Sequence, residues 1–311
     1  MKETNQYGQR RLIVKSDLLY NFVTSPVTVI AAFLTFVIVC SAVFAPFLTP
    51  HDPFNPGTLE LRDAYKPPVW IEGGVNEFPL GTDDQGHDVL ASMMYGSRIS
   101  LFVGFFAVFI AMFIGVSLGT LSGYIGGKLD MVLMRLADAQ ITIPALLIAL
   151  LLNGVLRTIL PLDTRSNLSV PILVLSIAFA TWPEYARLCR GVTMVERHKE
   201  YVAAAKVIGI HPVKIMVKHI IPNAMRPVFV IATIGIARAI IIEASLSFLG
   251  VGMPPTTPSL GTLIRIGNSY IFSGEWWMLF MPAIVLIILV LSINLLGDWV
   301  RYELNPKLRG R

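Results

Sequence analysis

The sequence has few charged residues and few cysteines. Asp, Glu, Lys and Arg make up 14% of its 311 residues, whereas a typical soluble domain has about 25%. So few charges cannot cover the surface of a water-soluble protein of this length. The hydrophobic fraction of 54% excludes intrinsic disorder, and two cysteines are too few for a disulfide scaffold. These exclusions leave a polytopic membrane protein, which the mean hydropathy of +0.67 also indicates.

The sequence also lacks the motifs of the common catalytic sites. It contains no GxxxxGK[ST] phosphate loop and no H-E-x-x-H zinc motif. An intramembrane hydrolase is therefore a disfavoured alternative, because the apolar stretches hold no pair of aspartates either. We predict no catalytic residue, no metal site and no cofactor in this chain. We interpret the histidines other than His219 as surface residues.

Six long stretches have the length and composition of membrane-spanning helices, which need about 20 mostly apolar residues. Their apolar parts are 27–45, 99–127, 139–156, 166–183, 227–250 and 276–297. The fifth stretch is interrupted by Arg238 and Glu243. The runs do not alternate apolar and polar residues, as the strands of a membrane barrel would. The predicted fold class is therefore all-α, a polytopic membrane protein with six transmembrane helices.

The distribution of charge predicts the topology. Lys and Arg are concentrated in both tails and in the loop 184–226, whereas segment 48–98 is mainly acidic. Because loops rich in Lys and Arg stay in the cytoplasm, the net charge of +5 indicates cytoplasmic N- and C-termini. The basic residues are spread over several loops, so we expect no nucleic-acid partner.

The predicted organisation has five parts. They are a cytoplasmic N-terminal tail (1–26), a first transmembrane helix (27–47) that is not a cleaved signal peptide, an external loop (48–98), a five-helix core (99–300) and a cytoplasmic C-terminal tail (301–311). The core contains the loop 184–226. We expect the external loop to be extended with short turns.

Within the loop 184–226, the sequence predicts two short helices. The first covers about 199–208 and ends at Gly209, because glycine accepts the left-handed conformation that closes a helix. The second begins at Pro212 and ends at Pro222. One apolar stripe along it comprises Val213, Met216, Val217, Ile220 and Ile221. The spacing does not decide whether the stripe lies on the membrane surface or docks into a groove on a soluble partner.

The loop and four further segments resemble a known family. The pattern A-A-x-x-x-G (Ala204, Ala205, Gly209) followed by H-x-x-P-N (His219, Pro222, Asn223) is similar to the "EAA" loop of permeases of ATP-binding-cassette importers. Segments 45–56, 79–101, 243–264 and 294–309 resemble the dipeptide/oligopeptide/nickel branch of that family, second-permease type. The resemblance covers nearly the whole chain in the expected order.

Two positions depart from the pattern of that family. The glutamate that names the loop is Ala203 here, with Glu200 three residues earlier. The arginine usual in the 79–101 segment is His87.

The resemblance implies a type I, MetI-like permease fold and a subunit of a bacterial inner-membrane importer. The implied partners are a second homologous permease, two ATP-binding ATPase subunits, an extracytoplasmic solute-binding protein and membrane lipid. ATP and magnesium would be bound by the ATPase subunits. The residues implied to couple this chain to an ATPase are Glu200, Tyr201, Ala204, Ala205, Gly209, Val213, Met216, Val217, His219, Pro222 and Asn223.

The resemblance also implies the transported solute. Di- or oligopeptides are the leading substrates, and nickel, an opine or a sugar are the alternatives. An ion-coupled secondary transporter is the alternative of another class. It is disfavoured because we find no inverted repeat in the sequence.

Other residues have both a functional and a structural interpretation. Arg238 and Glu243 are candidates for the translocation path, because ionisable groups within a membrane usually face protein or water. The alternative is that they pair with groups of a neighbouring helix or of the partner permease.

Two further features of the apolar stretches predict packing. The stripe Gly115, Gly119 and Gly123 predicts a face for close helix packing, with the partner permease as one candidate for the surface that it contacts. Trp276 and Trp277 are interpreted as interfacial membrane anchors.

Overall fold

The structure is a computed structural model that describes residues 20–49, 53–54, 61–161 and 168–304. Most of the predicted N-terminal tail, most of the C-terminal tail and parts of segment 48–98 lie outside the described residues. The helices are α1 (Pro26–Val43), α2 (Val89–Ile125), α3 (Gly127–Ile141), α4 (Ala145–Ile159), α5 (Ser169–Glu196), α6 (Glu200–Val207), α7 (Pro212–Phe248), α8 (Leu260–Asn268) and α9 (Trp277–Leu304).

The described residues confirm the prediction of an all-α polytopic membrane protein. Helices α1, α2, α5, α7 and α9 are each long and apolar enough to cross a membrane. Helices α3 and α4 pass the same test only together and are bent by 97° at a short break. The prediction of one continuous helix over 139–156 is therefore wrong. The break lies just before Pro144, since the residue before a proline avoids the helical conformation.

Local sequence signals account for the starts of two long helices. Asp88 caps α2, and its carboxylate accepts hydrogen bonds from the backbone N–H groups of Leu90 (3.0 Å) and Ala91 (3.3 Å). Ser25 caps α1 in the same way, and Pro26 follows at the first helical position, where its missing N–H costs nothing. Because of the Asp88 cap, α2 begins well before the predicted boundary at 99.

Helices α2 and α5 form the centre of the fold, and glycines allow their close contact. A Cβ atom on Gly115 would lie 2.5 Å from the Cβ of Tyr185, and one on Gly119 would lie 2.3 Å from the carbonyl oxygen of Ala186. The backbones approach so closely that no side chain fits. The predicted packing face is confirmed, but it is covered by α5 of the same chain and not by a partner.

The two ends of the bundle differ in charge. We call the end that carries residues 61–88 the acidic end, and the end that carries α6 and the start of α7 the basic end. At the acidic end, the indole N–H of Trp277 donates to the carbonyl oxygen of Thr82 (3.1 Å). At the basic end, the side-chain amide of Asn21 donates to Glu303 near the end of α9 (2.9 Å). Helix α1 therefore begins where α9 ends.

Two predictions about the acidic end are wrong. Trp277 is buried and not an interfacial anchor, because it packs under segment 61–88. His87 is buried and not a surface residue. Its Nδ1 lies 2.6 Å from a carboxylate oxygen of Asp83, and its backbone N–H donates to the other oxygen of the same carboxylate (2.8 Å).

Candidate functional site

The candidate site is the connection between α5 and α7 at the basic end. Helix α5 continues to Glu196, and the helical turns of α7 begin at Pro212. Much of the predicted loop 184–226 is therefore helix, and only residues 197–211 connect the two long helices. Helix α6 lies in this connection and ends as predicted at Gly209, which has a φ of +81°.

The predicted end of the second loop helix is wrong. Pro222 does not end a helix, because α7 runs through it without interruption to Phe248. A turn of π-helix, Met216–Ile220, precedes the proline, and the N–H of Ile221 donates to the carbonyl oxygen of Met216. Proline has no N–H to donate and clashes with the carbonyl four residues earlier in a regular α-helix. The wider turn removes that conflict.

The π turn also divides the predicted apolar stripe. Ile215 and Ile220 are five residues apart, the period of π-helical hydrogen bonding, and both are completely buried. They pack with Val202 and Ala205 of α6 in a small separate core. This core fixes α6 against the start of α7.

Two other residues of the stripe face away from the protein, whereas Met216 and Ile221 are partly buried. Val213 and Val217 are exposed. At the end of α6, Val207 is 88% exposed and Ile208 is 77% exposed. We call Val207, Ile208, Val213 and Val217 the loop patch. Exposed apolar groups of this kind mark contact sites for another protein or for a membrane.

The other predicted coupling residues differ in their exposure. Ala205 is buried, whereas Met216 and His219 are partly buried. The remaining ones are exposed: Glu200, Tyr201, Ala204, Gly209, Pro222 and Asn223.

A buried carboxylate that the sequence did not single out holds the loop in place. Glu196 accepts hydrogen bonds from Lys199 Nζ (2.5 Å), from the hydroxyl of Tyr201 and from the side-chain amide of Asn223 (3.3 Å). The Asn223 amide also donates to the carbonyl oxygen of His219 (3.0 Å). Thus one carboxylate connects the end of α5, the start of α6 and the start of α7.

The protonation of the partners suits this arrangement. Partial burial and the hydrogen bond to Glu196 raise the pKa of Tyr201, so its hydroxyl remains a donor. The Glu196 carboxylate likewise raises the pKa of Lys199. The sequence suggests the contact between Glu196 and Lys199, because an acidic and a basic residue lie three positions apart. It does not suggest the contact between Glu196 and Asn223, because 27 residues separate the two side chains.

The charged residues within α7 have separate environments. Arg238 forms an ion pair with Glu184 of α5, with its Nη1 2.5 and 2.6 Å from the two carboxylate oxygens. The side chains are 50% and 39% exposed. Both lie near the middle of their helices. Glu184 was missed in the sequence, because nothing in its spacing links it to Arg238.

Glu243 is completely buried. One carboxylate oxygen accepts from the hydroxyl of Ser100 on α2 (2.8 Å) and the other from Ser247 on α7 (2.7 Å). Ser100 also accepts from the backbone N–H of Leu260 on α8 (3.4 Å). This placement favours the structural interpretation of Glu243, since its carboxylate connects three helices of one chain.

In the described part of the chain, no three His, Cys, Asp or Glu side chains lie close enough together to hold a metal ion. The exposed side chains of the loop patch are all aliphatic.

Comparison with known proteins identifies relatives over nearly the whole chain. Residues 115–310 match the family described as binding-protein-dependent transport system inner membrane component. The dipeptide transport system permease protein DppC of Haemophilus influenzae is 37% identical over 268 residues, which cover 86% of each chain. The di/tripeptide transport system permease protein DppC of Pseudomonas aeruginosa is 36% identical over 89% of this chain and 86% of its own. DppC of Escherichia coli K12 is 39% identical over 86% of this chain and 85% of its own.

The fold is also found among solved structures. A chain of the MetNI methionine ABC transporter, in inward-facing conformations, superposes with a TM-score of 0.52 at 20% identity. The superposition covers 68% of this chain and 96% of the other. The similarity establishes a MetI-like permease fold.

Proposed function

The chain belongs to the family of binding-protein-dependent transport system inner membrane components, and we propose that it is a transmembrane permease subunit of an importer for dipeptides or short oligopeptides. The observation that carries this proposal is the identity of 36–39% with dipeptide and di/tripeptide permeases over most of both chains. Members of this family are transport components of the inner membrane and not enzymes. The same relatives favour peptides over nickel, opines or sugars as the transported solute.

The transport is driven by partner chains that hydrolyse ATP. The loop patch supports this step, because an apolar surface on a rigid connection between two long helices can transmit a movement of its partner to both helices. Two ATPase subunits bind ATP and magnesium. A second homologous permease completes the membrane unit, and a solute-binding protein delivers peptide from outside.

The basic end lies in the cytoplasm. The concentration of Lys and Arg near α6 and in both tails supports this orientation. The acidic end, with residues 61–88, then faces the solute-binding protein.

The translocation path includes Arg238 and Glu184. A half-exposed ion pair near the middle of two membrane helices must face water or protein, since lipid would not solvate it. Only Nη1 of the Arg238 guanidinium has a partner among the described residues, so the edge formed by Nε and Nη2 is open to a peptide carboxylate. Glu243 is not assigned to the path, because it is completely buried.

The proposal is tested by purifying the full chain from cells that express all its partners and by measuring uptake of a labelled dipeptide. We expect co-purification of two ATPase subunits and a second permease, and uptake that requires ATP hydrolysis. Ile208→Asp, which places a charge in the loop patch, should weaken binding of the ATPase subunits at least about tenfold, a loss of about 1.4 kcal/mol or more, and should reduce uptake in consequence.

The matched control is Phe272→Asp, because Phe272 is also strongly exposed but lies at the acidic end. This variant should retain both ATPase subunits. Peptide transport by the chain without any ATPase would contradict the proposal.

A further inference from the structure

A large apolar cavity lies between α1, α2, α7 and α9. Its volume is about 540 Å³. All four helices contribute to its wall, with residues that include Val39, Arg98, Phe102, Phe105, Ile236 and Leu296. Neither the loop patch nor the Arg238–Glu184 pair belongs to it.

The wall of the cavity suits hydrocarbon. Apart from Arg98 and two threonines, its side chains are aliphatic or aromatic. Phe102 and Phe105 remain about half exposed along it. Apolar surface of this extent within a membrane is satisfied by an acyl chain, which offers hydrocarbon and requires no hydrogen bonds.

The cavity extends along the helix axes. Arg98 and Val43 line it towards the acidic end, where Arg98 immediately precedes the apolar stretch that begins at Ile99 and Val43 is the last residue of α1. Val300 lines it towards the basic end, in the last turns of α9. An occupant therefore lies parallel to the helices, with one end beside Arg98.

Among the described residues that line the wall, only Arg98 is charged. It is exposed, and none of the hydrogen bonds or ion pairs among the described residues involves it. A cation at the edge of the apolar layer without a partner is costly. A guanidinium binds phosphate through two parallel hydrogen bonds, which makes a phosphate group its complementary ligand.

We propose that this cavity binds one anionic phospholipid, with the phosphate on Arg98 and one acyl chain along the wall from Phe102 to Leu296. The low burial of two helices that line the cavity supports a lipid as the occupant. Of the long apolar helices, α1 and α9 are the least buried within the chain, at 17% of their apolar windows, against 72% for α5. The cavity thus opens at the periphery of the bundle and not at its centre.

The proposal is tested on the full chain, purified with its partners, by native mass spectrometry after exchange into detergent. Dioleoyl-phosphatidylglycerol and dioleoyl-phosphatidylcholine are titrated in parallel. We expect the anionic lipid to bind at least about tenfold more tightly to one site. Arg98→Gln should remove this preference, whereas Arg98→Lys should keep part of it.

Two further variants separate charge from shape. Val39→Trp fills the cavity without changing its charge, and we expect it to weaken binding of both lipids. Arg62→Gln removes an exposed arginine at the acidic end that does not line the cavity, and it should bind lipid as the wild type does. If Arg98→Gln prevents assembly, the headgroup preference of the wild type and the Val39→Trp result decide the question.

Several results would overturn the proposal. They are equal binding of the two lipids, unchanged lipid binding by Arg98→Gln, or displacement of the lipid by inorganic phosphate at equal concentration, which would indicate a site for free phosphate. A disulfide or cross-link from Val39→Cys to the second permease would show that a protein helix occupies the cavity instead.

Discussion

At the scale of single residues, burial distinguishes Arg238 from Glu243, the two ionisable residues of the predicted fifth span. Their positions along the chain offered no reason to assign them different roles. Arg238 is half exposed and paired with Glu184, whereas Glu243 is enclosed by hydroxyl groups. A half-exposed pair contributes little to folding, about 0–1 kcal/mol. A buried carboxylate that connects several helices contributes more, since its loss leaves its partners without hydrogen bonds.

Arg238→Ala should change the range of peptides transported more than assembly of the complex. The open edge of the guanidinium is the part that a substrate carboxylate would contact, so we expect KM to rise several-fold for some peptides and less for C-terminally amidated ones. Uptake kinetics with a panel of labelled peptides measures this. Arg187→Ala is the control, because Arg187 is an exposed arginine of α5 whose Nε makes only a long contact, 3.8 Å, with Asp138. Unchanged kinetics across the panel would refute the role of Arg238.

Glu243→Ala should destabilise the protein, and Glu243→Gln should do so less. Alanine leaves the buried hydroxyls of Ser100 and Ser247 without their acceptor, at a cost of about 1–3 kcal/mol for each unsatisfied group. Glutamine retains one acceptor oxygen. The thermal midpoint of the purified complex in detergent measures the difference. A normal midpoint for Glu243→Ala together with abolished uptake would instead indicate a role in transport.

At the scale of elements, the contact between α2 and α5 depends on the absence of side chains. Gly119 lies against the backbone of Ala186, so the distance between the two helices is set by the glycine stripe. Helix α5 continues directly into Glu196 and the loop. A change in this packing should therefore affect both stability and the position of the loop patch.

Gly119→Ala tests this packing against a matched control. The new Cβ would lie 2.3 Å from a carbonyl oxygen, and overpacking of this kind costs about 1–3 kcal/mol. Gly154→Ala in α4 adds a Cβ in open space, and alanine favours helix over glycine by about 1 kcal/mol. We expect a lower thermal midpoint for the first variant and an equal or higher one for the second. Equal midpoints for both would show that α2 and α5 can separate without cost.

At the scale of the whole molecule, the two ends are distinguished by charge and by structure. The acidic end is built from turns that cover Trp277, and the basic end from two long helices joined through α6. If the basic end is cytoplasmic, every surface proposed to contact an ATPase lies on one side of the membrane.

Single cysteines introduced at the two ends test this orientation. After Cys40 and Cys189 are replaced by serine, Ile208→Cys should react with a membrane-impermeant maleimide only in inverted vesicles. Phe272→Cys should react in spheroplasts with an intact membrane. The labelling is done on cells that lack the ATPase subunits, which would cover the loop patch. Both side chains are strongly exposed on the chain itself, so access and not burial decides the result. The reverse pattern would refute the proposed orientation.

Much of the fold was predictable because its signals are local. Long apolar runs indicate the spans, Gly209 indicates the end of α6, and the glycine stripe indicates close packing. The signals failed where two local rules compete. A proline ends most helices, yet a π turn allows α7 to continue through Pro222. Pro144, in contrast, breaks a run whose composition suggested one continuous helix.

The sequence by itself determined that this is a polytopic helical membrane protein with a basic and an acidic side, because hydropathy and charge act residue by residue along the chain. The A-A-x-x-x-G and H-x-x-P-N patterns in the sequence also identified the loop. Only the tertiary structure decided which side chains meet: Glu196 with Asn223, Arg238 with Glu184, and Glu243 with Ser100. Those contacts join residues far apart in the chain, and helix packing brings them together. The tertiary structure also divided the predicted apolar stripe between a buried core and an exposed patch, since the π turn changes which residues share a face.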